Sequence, residues 1–196
     1  MFKLGITGGI GSGKSTAANF LETIGAKIFN ADKEAKKHLK HTLSLQHKII
    51  SAFGDAVTDN NKLSIKKLAE VAFSSKIEQK ILNGLMWPEV FILIEKKIKE
   101  YESKNVELFI LDAAMIFEGN FEHMLDATLL ISARKELRIK RAQKRNNLHL
   151  EQIQNRMSLQ MTEVDKTKRA NHIIQNNGTL DKFHNTLKDY YKSLRI

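Results

Sequence analysis

Apolar positions along the chain follow two spacings, one typical of strands and the other typical of helices. Residues 2–7 alternate and run into a pair of glycines, which predicts a strand that ends in a tight turn. Residues 15–24 carry apolar side chains at helical spacing and end at Gly25, the residue type that most often follows a helix. The same reasoning predicts further strands at 26–30, 106–111, 127–131 and 173–174, and further helical segments at 31–101, 134–145, 150–161 and 179–194.

The long helical stretch 31–101 contains two predicted breaks, one near 54–61 and one at Trp87–Pro88, where the proline is expected to start a new helical turn. Strands that alternate with helices predict right-handed crossovers and a parallel sheet with helices on both faces, which is an α/β fold. Residues 33–104 are too many for one crossover. We therefore predict a helical insertion there and a smaller one formed by the basic helices at 134–161.

Composition narrows the class of protein without giving a function. The 196 residues fit one domain, and the absence of cysteine excludes disulfides, a thiol nucleophile and cysteine-ligated metal sites. No apolar run approaches the ~18 residues of a membrane span, and the glycine-containing N-terminus lacks the apolar core of an export signal. We therefore expect a cytoplasmic protein with no membrane partner.

The chain is strongly basic, since 32 Lys and Arg against 22 Asp and Glu give a formal net charge of +10. Such a surface attracts phosphate groups, so a polyanionic small molecule and a nucleic acid are both compatible with it. A lysine-rich solvated surface without either partner is the third interpretation. The charge alone does not choose among the three.

Residues 8–15, Gly-Gly-Ile-Gly-Ser-Gly-Lys-Ser, match the phosphate-loop pattern G-x-x-x-x-G-K-[ST] between a predicted strand and a predicted helix. In such a loop the glycines let successive N–H groups surround a phosphate, and the helix N-terminus adds its partial positive charge. Lys14 is expected to reach the β- and γ-phosphates, and the Ser15 hydroxyl to complete a Mg²⁺ shell. The dinucleotide pattern G-x-G-x-x-G is absent, which argues against a nicotinamide cofactor. The predicted nucleotide-binding residues are Gly11, Ser12, Gly13, Lys14, Ser15 and Thr16.

Two aspartates follow predicted strands, at the edge of a parallel sheet where ligands collect. Asp32 comes just after the second strand and could accept or orient the proton of an attacking hydroxyl, or it could simply be the N-cap of the next helix. Asp112 ends the 106–111 strand, where an acidic residue can contact Mg²⁺ through water; a cap or a turn is the alternative. Glu118 makes a weaker candidate and could be a surface residue.

The helix predicted at 134–145 is rich in Lys and Arg, and Arg138, Arg141 and Arg145 share one of its faces. Beside a phosphate loop, this helix and the next one are expected to form a lid that closes over the triphosphate and brings positive charge to the transferring group. A solvated basic face and an RNA-contacting helix are the competing interpretations.

These segments together resemble the dephospho-CoA kinase family over nearly the whole chain. The resemblance is carried by residues 5–16, Asn30-Ala31-Asp32, Phe117-Glu118, Arg141 and Arg145, the Arg156…Gln160 pair and Ile174-x-Asn176-Asn177-Gly178. That family transfers the γ-phosphoryl group of ATP to the ribose 3′-hydroxyl of dephospho-CoA, the last step of coenzyme A synthesis. The resemblance implies ATP and Mg²⁺ as cofactors, dephospho-CoA as substrate and no nucleic-acid partner, and it leaves the oligomeric state open.

The resemblance also implies an organisation and a set of roles. A P-loop nucleotide-binding core is expected at 1–32, 105–133 and 166–196, a helical CoA subdomain at 33–104 and a small helical lid at 134–165. Asp32 corresponds to the catalytic base, and Lys14 and Arg141 correspond to groups that stabilise the transferring phosphoryl group. Arg145, Asn176 and Gly178 are expected to contact the nucleotide. The metal contacts expected of Ser15 and Asp112 follow from the phosphate-loop pattern and from the end of the 106–111 strand.

Four positions depart from the family pattern. Asn30 replaces the first aspartate of an Asp-Ala-Asp segment, Trp87 replaces the histidine of a His-Pro pair, Asn171 replaces an aspartate, and the 112–118 segment lacks its proline. These departures bear on acceptor binding more than on the reaction. Another small-molecule or nucleoside kinase with the same core is the nearest alternative function, and a nucleic-acid-associated ATPase is a more distant one.

Overall fold

A parallel sheet of five strands lies at the centre of the molecule. The computed structural model describes residues 1–146 and 149–195, apart from the side chains of Arg145 and Asn146. The strands of the sheet are β1 Phe2–Thr7, β2 Lys27–Asn30, β5 Leu108–Asp112, β6 Ala127–Ser132 and β7 His172–Gln175, and a separate hairpin pairs β3 Thr58–Asp59 with β4 Lys62–Leu63. The strand order β2-β5-β1-β6-β7 places β1 in the middle.

Helices occupy most of the connections between the strands. They are α1 Lys14–Thr23, α2 Ala31–His41, α3 Leu43–Phe53, α4 Ile65–Ala72, α5 Lys76–Glu102, α6 Lys135–Asn146, α7 Leu150–Ser158, α8 Glu163–Arg169 and α9 Leu180–Ser193, with 3₁₀ turns at Gly54–Val57 and Phe121–Met124. Parallel neighbours in the sheet and helical crossovers confirm the predicted α/β fold.

Helices cover both faces of the sheet. On one face Leu21 of α1 and Leu187 of α9 are fully buried in a cluster with the apolar residues of β1 and β6. On the other face Ile94 of α5 packs in a second cluster with Phe109 and Leu111 of β5. Because the sheet is covered twice, every residue of β5 is buried, which explains its uninterrupted apolar sequence.

Two helical excursions leave the sheet at the places where the sequence predicts insertions. The larger, α2 to α5, lies between β2 and β5 and has a small core of its own. That core is formed by Leu39, Leu45, Ile49, Val57 and Leu68. The smaller excursion contains α6, α7 and α8 and lies between β6 and β7. The assignment of these excursions to acceptor binding and to a lid stays a prediction.

The predicted break at Trp87–Pro88 is wrong, because α5 continues through Pro88 for a total of 27 residues. The missing N–H of the proline would have bonded to Gly84, and both residues lie on the exposed side of the helix. Val90 and Ile94 are buried in the core, so packing holds the helix together across the interruption. Helix α8 was not predicted, and α7 ends at Ser158, before the predicted 161.

The register of the sheet determines where the candidate site lies. Asp112 at the end of β5 lies beside Ile6 of β1 and beside Asn30 of β2. The carboxyl ends of these parallel strands therefore meet at one edge of the sheet, at the loop that follows β1. Ligands commonly bind at this edge of an open α/β sheet.

Candidate active site

The loop 8–13 after β1 has the conformation that its glycines permit. Gly11 and Gly13 have φ angles of 76° and 103°, in the left-handed region that favours glycine. A β-carbon at Gly13 would also collide with the Asn176 amide, and one at Gly11 with the backbone carbonyl of Arg138. Gly13 is the N-cap of α1 and has no side chain to cap it, so the first N–H groups of the helix are available to an anion.

Side chains from three distant segments hold this loop. The Asn176 amide, which is 7% exposed, donates to the Ser12 carbonyl at 2.9 Å. The Arg138 Nε donates to the Ile10 carbonyl at 3.1 Å, and the Gln160 Oε1 accepts from the Ile10 N–H at 3.3 Å. The loop is therefore braced by α6, by the segment after α7 and by the segment after β7.

The two candidate carboxylates lie on either side of the Lys14 ammonium. Lys14 Nζ contacts Asp112 Oδ1 directly and lies 3.8 Å from Asp32 Oδ2. Asp112 is only 2% exposed, and its second oxygen accepts from Asn30 Nδ2 at 2.6 Å. The structure thus brings together three of the residues that the sequence singles out for chemistry.

Asp32 is not the N-cap of α2. Asn30 holds that position and accepts from the Lys33 N–H at 2.8 Å, which leaves the Asp32 carboxylate free to face the site from the first turn of the helix. The alternative interpretation of Asp32 as a helix cap is therefore wrong.

The environment of Asp32 favours its protonated form. Desolvation by the surrounding protein raises the pKa of its carboxyl above the ordinary 3.8, with Lys14 acting in the opposite direction and Asp112 adding to the rise. The side chain is nevertheless 59% exposed, so it lies at the surface of the site and not in the interior. A carboxyl in this position is accessible to a ligand.

The predicted lid arginines do not share one environment. Arg138 is buried, with its guanidinium on the Ile10 carbonyl and 3.0 Å from Glu163 Oε2, so it does not lie on an open face. Arg141 donates to the Asn176 carbonyl at 3.0 Å, and the side chain of Arg145 lies outside the described residues. In α7 the Arg156 guanidinium lies over the ring of Phe73, the residue that follows α4, 5.0 Å from its centre.

The remaining predicted site residues differ in how far they are exposed to solvent. Ser15 is half-buried in the first turn of α1 and Thr16 is exposed beside it, whereas Ser12 is buried within the loop. Gly178 is exposed in the turn between β7 and α9.

Comparison with known proteins decides the family. The family model described as dephospho-CoA kinase matches residues 2–182. The chain belongs to the dephospho-CoA kinase family. A dephospho-CoA kinase from Salinibacter ruber is 33% identical over 192 residues, which covers 97% of this chain and 96% of the relative.

Solved structures agree with the assignment to the dephospho-CoA kinase family. A Thermus thermophilus protein superposes with a TM-score of 0.81 and 32% identity, covering 98% of this chain and 97% of its own. The dephospho-CoA kinase from Campylobacter jejuni superposes with a TM-score of 0.69 and 28% identity, covering 98% and 96%. The resemblance drawn from the sequence is confirmed, and the chain is an enzyme of the phosphotransferase class.

Residues that depart from the dephospho-CoA kinase pattern have structural partners in this chain. Asn30 caps α2 and donates to Asp112, two bonds that an ionised aspartate could not both make. Asn171 Oδ1 accepts from the Thr128 N–H at 2.8 Å and ties β6 to the start of β7. Trp87 packs edge-on against Phe121, with ring centres 6.5 Å apart.

A buried ion pair beside the site was missed by the sequence reasoning. Lys166 is 1% exposed, and its Nζ lies 3.1 Å from Glu118 and donates to the Ala114 carbonyl at 2.7 Å. Burial lowers the pKa of Lys166, while Glu118 acts in the opposite direction. Glu118 is thus no surface residue. Only the unpredicted helix α8 could have revealed its partner.

The oxygen-bearing side chains at the site suit Mg²⁺. No group of three or more His, Cys, Asp or Glu side chains that could hold a metal occurs within residues 1–146 and 149–195. Mg²⁺ in phosphoryl-transfer enzymes, however, needs only one or two protein oxygens, since phosphates and water complete its shell. The Ser15 hydroxyl and the Asp112 carboxylate fit this requirement. In the same described part of the chain, no helix is both long and apolar enough to cross a membrane.

Proposed function

We propose that this chain transfers the γ-phosphoryl group of ATP to the ribose 3′-hydroxyl of dephospho-CoA, giving coenzyme A and ADP. The observation that carries the proposal is the position of Lys14. This lysine is the first residue of α1, directly after the loop 8–13, and its ammonium lies 3.8 Å from Asp32 while it contacts Asp112. Lys14, which would bind the donor phosphates, thus lies beside Asp32, which would receive the acceptor's proton.

The loop would hold the triphosphate through its backbone N–H groups and the N-terminus of α1. Lys14 would bridge the β- and γ-phosphates and would then have to exchange part of its contact with the carboxylates for the nucleotide. Arg141 and Arg145 would add positive charge from α6, and Asn176 and Gly178 would border the nucleotide.

Asp32 would orient the attacking 3′-hydroxyl and accept its proton. Phosphoryl transfer passes through a loose transition state, so positioning and charge should contribute more than the strength of the base. The exposed position of Asp32 supports this role, because an acceptor can reach it.

Mg²⁺ would be held by Ser15 and Asp112, and it would neutralise charge on the phosphates when bound. The residues of the chain have their own part near it. Asn30 holds one oxygen of Asp112 in place, so the other oxygen keeps a fixed direction. As a member of a biosynthetic family, the protein is proposed to work in the cytoplasm.

The proposed reaction is tested by mass analysis of the product formed from dephospho-CoA and ATP, with and without Mg²⁺. We expect a gain of one phosphoryl group at the 3′-oxygen, with release of ADP. Nucleosides, nucleoside monophosphates and shikimate serve as competing acceptors. Faster ADP release with one of these compounds would identify it as the acceptor in place of dephospho-CoA. ATP hydrolysis stimulated by RNA or DNA would instead indicate a nucleic-acid-associated ATPase.

Asp32→Asn is expected to lower kcat by ~10²–10⁴ while ATP affinity stays nearly the same, because the loop is untouched. Steady-state kinetics and direct ATP titration measure the two quantities. Asp189→Asn, an equal change at an exposed position of α9, is the matched control and should leave both unchanged. A normal kcat in Asp32→Asn would show that this carboxylate takes no part in proton transfer.

A further inference from the structure

Two peptide groups of the phosphate loop are fixed in direction by side-chain donors outside the loop. The Ile10 carbonyl accepts from Arg138 Nε at 3.1 Å, and the Ser12 carbonyl accepts from Asn176 Nδ2 at 2.9 Å. Both donors are buried residues, each 7% exposed. The bonds are therefore shielded from competition by water.

Holding a carbonyl in this way also aims the N–H of the same peptide group. The peptide bonds of the described chain are trans, so the C=O and N–H of one group point in opposite directions. The Ile10 carbonyl shares its peptide group with the Gly11 N–H, and the Ser12 carbonyl shares its group with the Gly13 N–H. Within the part of the chain that the structure describes, neither of these N–H groups donates to a protein acceptor. Both are available to a phosphate.

Arg138 is itself fixed from two sides. Its Nη1 lies 3.0 Å from Glu163 Oε2 of α8, and a β-carbon at Gly9 would collide with its guanidinium. Burial lowers the pKa of Arg138 and Glu163 acts in the opposite direction, and a guanidinium keeps its charge at neutral pH. A buried ion pair such as Arg138–Glu163 adds little to the free energy of unfolding, since the desolvation of both charges offsets much of their attraction.

We propose that Arg138, held by Glu163, is a positioning residue for the nucleotide: it aims the Gly11 N–H into the phosphate loop before ATP arrives. Asn176, in the segment after β7, aims the Gly13 N–H in the same way. Arg138 acts through the loop backbone and touches no phosphate. This inference rests on the proposed function only in taking the loop as the ATP site, and it does not depend on the acceptor.

The test compares the affinities of Arg138→Met for ATP, ADP and adenosine, measured by titration without any acceptor. ATP and ADP should bind about tenfold more weakly, because one hydrogen bond to a charged phosphate is misdirected. Adenosine should bind as before, since it has no phosphate. The control is Lys140→Met, which removes the same charge from an exposed position of α6 and should leave all three affinities unchanged.

Arg138→Met leaves Glu163 without its partner and could therefore misfold. A second variant controls for this effect. Arg138→Met combined with Glu163→Gln removes both charges and should show the same phosphate-dependent loss. Unchanged ATP affinity in the folded variants would overturn the inference. So would an equal loss for adenosine, or an equal loss in Lys140→Met. If the native protein binds ATP but does not phosphorylate dephospho-CoA, the proposed function fails while this inference stands.

Discussion

The charged groups around Lys14, at the carboxyl end of the sheet, are few and do not balance. One ammonium faces the two carboxylates of Asp32 and Asp112, and the side chain beside them, Asn30, is neutral. An aspartate at position 30 would place a third carboxylate against Asp112 and would have no proton to donate to it. The amide therefore keeps the local charge low and fixes Asp112 at the same time.

Asp32→Asn is expected to raise the melting temperature at neutral pH even as it removes activity. Because desolvation raises the pKa of Asp32 above 3.8, the folded chain binds this proton more tightly than the unfolded chain. The contribution of the group to stability therefore falls as the pH rises through 3.8 and on to the folded pKa, and it stays low at pH 7. Lys14 keeps Asp112 as a partner in the variant.

Thermal melts of native protein, Asp32→Asn and the Asp189→Asn control at pH 7 and towards pH 4 check this sign. The gain in melting temperature should be largest at pH 7 and should shrink as the pH falls towards 3.8. A loss of stability at pH 7 would mean that the attraction of Lys14 outweighs the desolvation of Asp32.

At the scale of elements, α5 shows how packing overrides a local signal. A proline in a helix interior usually breaks the helix, yet the 27 residues of α5 run through Pro88. Ile94 of this helix is completely buried against the sheet, and Leu82 and Leu85 pack against the core of the large excursion. Packing contacts on both sides of Pro88 therefore keep the helix continuous.

Gly84→Ala is expected to stabilise the protein by about 0.5–1 kcal/mol, because Gly84 lies inside α5 and a β-carbon there meets open space. Gly25→Ala is the matched comparison. Its β-carbon also meets nothing, but its φ of 113° is one that alanine rarely adopts, so this variant should be less stable than the native chain. Urea denaturation of both variants measures the difference. Equal free energies of unfolding for the two variants would show that backbone strain at position 25 is negligible.

For the molecule as a whole, the sheet assembles a site from segments far apart in the chain. The central strand β1 carries the phosphate loop, and β2 and β5 bring Asn30 and Asp112 beside it. Side chains of α6 and of the segment after β7 hold the loop. Nucleotide binding should consequently stabilise the entire fold, since the ligand would contact several elements at once.

MgATP at about 100 times its Kd is expected to stabilise the native protein by ~2.7 kcal/mol. For a chain of this length, that corresponds to a rise of about 5–10 °C in melting temperature. Lys14→Ala should lose most of the rise and most of the turnover, because the lysine would contact the phosphates. Adenosine in place of ATP is the control. A full rise in Lys14→Ala would contradict the assigned role.

Much of the fold and part of the site follow from the sequence. The strands β1, β5 and β6 lie within two residues of their predicted bounds, because buried strands are short apolar runs that end at turns. The loop glycines were predicted from the spacing of the phosphate-loop pattern, and both aspartates from their position after predicted strands. Helix α8 and the partners of Lys166 and Arg138 were not, because α8 is short and highly charged and its burial depends on residues far away in the chain.

The sequence by itself determined the phosphate loop, the alternation of strands and helices, and the places along the chain where helical insertions separate the strands. These features depend on residues within one turn or one strand of each other. Only the tertiary structure decided that Asp32 faces Lys14 instead of capping α2, and that Arg138 braces the loop instead of facing solvent. The physical reason is that a charged side chain takes its role from the atoms around it, and those atoms come from other segments of the folded chain.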